Sequence, residues 1–135
     1  MKIINKFLIA GLFLVGLLSC SSKIECPDLK QGNFIISSDT EGTEPYKIVR
    51  NDTLQTEINN EGVARYSKIK WLSDCSYILF YDEDKMVLND FQKEVNEVGG
   101  VIVEVTKIEG NCFYYTSNII GDPHSERIDG VMCKE

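Results

Sequence analysis

The chain has 135 residues, is 43% hydrophobic, and carries 21 acidic against 14 basic side chains, a formal charge of −7. That length suits one domain with a modest core. The acidic balance excludes a nucleic-acid binder and a surface drawn to anionic lipid headgroups.

The chain opens with Lys2 and Lys6, followed by an uncharged, apolar or small run from Phe7 to Leu18. About a dozen apolar residues match the h-region of a signal peptide, whereas a membrane span needs roughly 20. The run ends in Leu17-Leu18-Ser19-Cys20, and the polar Ser21-Ser22-Lys23 follows at once. This segment resembles the signal peptide and lipobox of bacterial lipoproteins. The resemblance implies cleavage before Cys20, a lipid on its thiol and an acylated new amino terminus. It implies a membrane-anchored protein of the cell envelope, at the outer membrane on its periplasmic or surface side. Removing residues 1–19 leaves 116 residues, with 12 basic against 21 acidic side chains and a charge of −9.

Four further cysteines remain: Cys26, Cys75, Cys112 and Cys133. An even number in an exported chain reads as two disulfides. There is no CxxC, and the only histidine is His124, so no metal or cofactor is expected.

Residues 20–31 read as a lipid-anchored tether containing Pro27, and 32–135 as a single β domain. Short runs rich in β-branched and aromatic residues alternate with turn signals. They are Gly32–Ser38, Pro45–Arg50, Thr53–Asn59, Val63–Leu72 and Cys75–Tyr81, then Val101–Ile108, Asn111–Ile120 and Glu126–Cys133. Turns are expected at Thr40-Glu41-Gly42-Thr43 and at Asn60-Glu61-Gly62. Asn51-Asp52 tolerates positive φ and suits a tight hairpin. On Val63–Leu72, alternation puts Val63, Arg65, Ser67, Ile69 and Trp71 on one face and Lys68 and Lys70 on the other. Between residues 86 and 98 the rhythm changes. Val87, Phe91, Val95 and Val98 recur near the helical period, Asn89 with Gln92 can form a capping box, and Gly99-Gly100 can stop a helix. A short helix is expected there, with a strand and loop as the competing reading.

The final hairpin offers a geometric hint about the disulfides. A turn centred between Asp122 and Pro123 sets residue 112 opposite residue 133, and directly opposed cysteines can be bridged. Cys112–Cys133 is the preferred pair, which leaves Cys26–Cys75. Hairpin-length connections throughout predict an antiparallel meander forming a small lipocalin-like barrel or half-barrel, the likeness being architectural only.

Residues 26–81 carry a closer resemblance. Cys26-Pro-Asp-Leu-Lys-Gln-Gly-Asn-Phe34, Tyr46-Lys-Ile-Val-Arg-Asn51, Gln55-Thr-Glu57 and Ile69-Lys-Trp71-Leu-Ser-Asp-Cys75-Ser-Tyr77-Ile-Leu79 resemble a group of small exported proteins of Bacteroidota. The group brings no established activity. Some members carry a DNA topoisomerase IV label, which a short, acidic, exported chain does not support.

Candidates for chemistry are few. Catalysis by a Ser/His/Asp device would have to pass through His124, beside Asp122 and Ser125 in a turn where such residues face solvent. Asp82-Glu83-Asp84 lacks the spacing of a calcium loop and reads as a solvated strand end. The aromatics are richer. Tyr77 and Tyr81 share a face opposite Phe80, and Phe113 and Tyr115 share a face opposite Tyr114. Trp71, Tyr77, Tyr81 and Tyr114 form the candidate ligand or partner surface; plain core packing is the competing reading. The function expected is therefore non-enzymatic binding of a small apolar ligand or of another envelope protein. The alternatives are a structural or accessory subunit of an envelope complex and, less favoured, a small hydrolase.

Overall fold

The computed structural model describes residues 23–37 and 44–135. The signal segment, Cys20 of the lipobox and the turn expected at residues 40–43 lie outside the described residues. Among the described residues eight strands run in order: β1 (Gly32–Ile36), β2 (Tyr46–Arg50), β3 (Leu54–Ile58), β4 (Ala64–Ser73), β5 (Ser76–Tyr81), β6 (Val101–Glu109), β7 (Cys112–Ile119) and β8 (Ile128–Lys134). Each pairs antiparallel with the next, and β8 pairs with β1, so the meander closes into a barrel. Closure leaves no sheet edge with unpaired backbone groups.

Alternation decides what faces inward. Phe34, Ile48, Tyr77, Val103, Phe113 and Met132 are buried in the core, and the lysines of β4 point out. The sequence pattern located every strand to within two residues. The tight turn expected at Asn51-Asp52 joins β2 to β3, without positive φ at either residue. Instead the Asn51 side-chain oxygen accepts from the backbone N–H of Thr53 and Leu54, and this side-chain cap closes the turn.

One end of the barrel is plugged. Cys26–Leu29 forms a 3-10 helix with Pro27 in its first turn, and Leu29 is fully buried under it. The stretch expected as tether up to residue 31 is thus part of the folded body from Cys26 onward. Cys26 is bonded to Cys75 at the β4–β5 turn. Lys134 Nζ donates to Asp28 O at 2.8 Å, and Lys30 pairs with Asp74 at 2.9 Å. The second disulfide joins Cys112 to Cys133, register partners on β7 and β8 as the hairpin geometry requires.

One α-helix among the described residues, α1 (Asp90–Glu97), lies between β5 and β6. Asn89 and Gln92 form the expected capping box. The helix docks through Asn96, whose amide accepts from Tyr81 N and donates to Tyr81 O, both at 2.9 Å. Its expected apolar face is a correction: Val95 and the preceding Leu88 are buried, but Val87 is 98% and Phe91 58% exposed. Val87 precedes the helix, so helical periodicity does not carry it to the packed side.

Candidate functional site

Above the plug the barrel holds a cavity of about 250 Å³. Gln55 and Glu57 of β3 with Arg65 and Ser67 of β4 make one wall polar, and Arg50 of β2 lies behind it. Arg50 of β2 is 4% exposed and donates to three neutral acceptors: Gln55 Oε1, Leu29 O at 2.9 Å and Tyr77 Oη at 2.9 Å. Its guanidinium also lies 4.6 Å from the Tyr77 ring centroid and 5.3 Å from that of Phe34. Such ring faces favour a cation. Gln55 Nε2 donates to Glu57 Oε1 at 2.9 Å, and Arg65 Nε donates to Glu57 Oε2 at 2.9 Å. A continuous chain of hydrogen bonds therefore climbs from the plug to Arg65, across β2, β3 and β4.

The opposite wall is apolar, with Leu79, Val101, Val103, Ile128 and Met132. Ile128 is 63% exposed and the Arg65 side chain half exposed, so the cavity meets solvent at the end away from the plug. Hydroxyls of Tyr46, Ser67, Tyr81, Tyr115 and Ser117 look in between the two walls. Gly130 makes room for one of them. It is the register partner of Tyr115, and a Cβ there would lie 2.4 Å from the Tyr115 hydroxyl.

Burial pushes the hydroxyls of Tyr77 and Tyr81 above the ordinary tyrosine value. Tyr46 rises through burial and then through the nearby Glu57 carboxylate. Tyr115 is pushed up to about 12, by burial first and then by Tyr77 and Glu57. All four thus stay neutral hydrogen-bonding groups at physiological pH. The linkage has a definite sign. The unfolded chain loses the Tyr115 proton near pH 10 while the folded chain holds it to about 12. The stability this residue confers is therefore present below pH 10 and lost as pH rises towards 12, by about 3 kcal/mol. Tyrosinate absorbance and circular dichroism followed together should show ionisation and unfolding in one transition above pH 10. Tyrosines that titrate fully in a still-folded protein would contradict the placement.

Of the four aromatics singled out in the sequence, Tyr77 and Tyr81 line the cavity. Trp71 sits near the plug, its ring 4.8 Å from that of Tyr77 and its Nε1 donating to Asp52 O at 2.7 Å. Tyr114 does not line the cavity: it lies on the outer face with Lys107 Nζ 5.3 Å from its ring, because Phe113 and Tyr115 take the inward positions. Sequence reasoning missed Tyr46, Arg50, Gln55 and Glu57 as site residues. The signal was present in Tyr46-x-Ile48-x-Arg50, where alternation ties a charge to an apolar face.

The acidic run is also partly corrected. Glu83 and Asp84 are exposed, but Asp82 is 1% exposed. It accepts from Asp84 N at 3.1 Å and lies 3.5 Å from Lys68 Nζ, so it organises the β5–α1 turn. His124 is exposed in the β7–β8 turn. Asp122 Oδ1 accepts from its backbone N–H at 2.8 Å, and Ser125 Oγ accepts from Ile119 N at 2.9 Å, so both oxygens serve the turn. Comparison with family models, with curated proteins and with solved structures returned no match.

Proposed function

We propose that this chain is a lipid-anchored protein of the cell envelope that binds a small, mainly apolar molecule inside its barrel and performs no chemistry on it. The observation that carries this reading is the 250 Å³ cavity with one apolar and one hydrogen-bonding wall. Small-molecule sites have this character, at volumes of roughly 300–1,000 Å³. The cavity lies just under that range, so the ligand is compact rather than a long acyl chain.

The anchor adds an orientation. Six positions separate Cys20 from Cys26, at most about 20 Å of extended chain. Cys26 lies in the plug. Lipidation at Cys20 would hold the plugged end towards the bilayer, with the mouth turned away from it. The lipid reading is checked by Cys20→Ala, which should abolish lipid labelling and partitioning into detergent.

For the ligand, native mass spectrometry of protein purified from its own membranes should show a bound species of a few hundred daltons. Gly130→Ala should fold and lose that species, because the added methyl drives the Tyr115 ring into the cavity. A wild-type protein with no adduct, and no uptake from an apolar fragment mixture, would sink the reading. The second reading, docking of an envelope protein, draws on exposed Val63, Val87 and Phe91. Val63 and Val87 flank a shallow groove beside Arg65 at the mouth.

A further inference from the structure

Charge is not balanced around the cavity's polar wall. Glu57 and Arg65 line it, and Arg50 lies behind it, hydrogen-bonded to the lining residues Gln55 and Tyr77. Arg65 and Glu57 are paired. Among the described residues Arg50 has only neutral acceptors, a peptide carbonyl, an amide oxygen and a phenol. A buried guanidinium without a carboxylate carries a desolvation cost that an anion placed nearby would relieve.

The hydrogen-bond inventory points the same way. Tyr77 is 1% exposed; its oxygen accepts from Arg50, and its own proton goes to no described protein group. Ser67 is 4% exposed, lines the cavity, and likewise donates to no described group. Gln55 gives one amide N–H to Glu57 and keeps the other. Ser67 and Gln55 are register partners on β4 and β3, and Arg50 bridges Gln55 to the Tyr77 hydroxyl. Donors of Tyr77, Ser67 and Gln55 therefore face the cavity beside a positive charge. The high proton affinity that burial gives Tyr77 keeps its O–H a donor.

Resting on the cavity-binding reading above, we infer that the ligand is a small monocarboxylate. Its carboxylate sits on the Tyr77 and Ser67 hydroxyls near Arg50, and its apolar body lies along Leu79, Val101, Val103 and Met132. The mouth end would not seat the head, because Glu57 already occupies Arg65 there. In the water-poor interior each bond to an ionised acceptor is worth more than one to a neutral acceptor.

Three probes of one shape test this: 3-phenylpropanoate, 3-phenylpropanol and 3-phenylpropylamine, titrated calorimetrically into the purified full-length protein. The acid should bind at least about tenfold more tightly than the alcohol, and the amine most weakly. Ser67→Ala should weaken the acid about tenfold. Tyr77→Phe should do the same, and Ser67→Ala carries the test should Tyr77→Phe not fold. Alcohol binding as tightly as the acid, or an unchanged acid affinity in a folded Ser67→Ala variant, overturns the carboxylate seat and leaves cavity binding in place. Failure of all three probes, in a protein that retains a neutral adduct in native mass spectrometry, also overturns the seat alone. Failure of all three with no adduct overturns both.

Discussion

Exchanging both Cys26 and Cys75 for serine should cost about 4 kcal/mol of folding stability and loosen the plugged end of the barrel. The bond closes a loop over a sequence separation of 49, and the chain-entropy relation for a loop of that size gives about 4 kcal/mol. The plug itself is four residues long and contributes one fully buried apolar side chain, Leu29. So short a segment retains little helical order once untethered. Freed of Cys75, it should withdraw Leu29 O from Arg50 as well. Urea unfolding should show the loss in midpoint, and hydrogen exchange should show faster opening at residues 26–31. The other bond, Cys112–Cys133, spans a separation of 21 and joins residues already paired in the β7–β8 ladder. Its removal should cost about 3 kcal/mol by the same relation, without loosening the plug. Equal protection of residues 26–31 with and without Cys26–Cys75 would show that the plug holds by packing alone.

Arg50→Leu should destabilise the fold by about 4 kcal/mol, the size expected when several buried hydrogen-bond acceptors lose their donor. The guanidinium serves Gln55 Oε1, Leu29 O and Tyr77 Oη at once, and leucine leaves all three without a donor. Each unpaired buried acceptor costs about 1–3 kcal/mol, partly offset by leucine's own burial. Its contact with the Phe34, Trp71 and Tyr77 rings, at 4.6 to 5.9 Å from their centroids, is lost too. Arg50→Lys should fall between, since an ammonium can satisfy some of the same acceptors but cannot span them in a planar fork. An Arg50→Leu protein as stable as wild type, or more so, would mean that the interior has no need of the charge.

The barrel was largely legible because its outward and inward residues alternate and its hairpins are short. The pairing of Cys112 with Cys133 followed from counting across one turn. Three things were not legible, each for a physical reason. Cys26-Pro27-Asp28-Leu29 reads as tether because a single buried leucine has no period. Its role depends on the disulfide partner and on the barrel end it closes. On β3, Leu54–Ile58, the inward residues include Gln55 and Glu57, against the usual rule of apolar inside. Only Arg50 and Arg65 on the neighbouring strands make that arrangement tolerable, and such partners are set by register rather than local sequence. Tyr114 and Tyr115 differ by one position, and alternation separates them without saying which faces in. The full burial of Phe113 decides it. The segment around α1 misled for the opposite reason: an apparent helical stripe from Val87 to Val98 ran past the true start of the helix at Asp90.

The claim that the occupant lies inside the barrel is tested most directly by methyl NMR during titration with 3-phenylpropanoate. The methyl resonances of Leu79, Val101, Val103 and Met132, which line the cavity, should shift together and saturate. Those of Val63 and Val87 on the exposed rim should stay in place. Shifts confined to Val63 and Val87, with the inward set unmoved, would contradict interior binding.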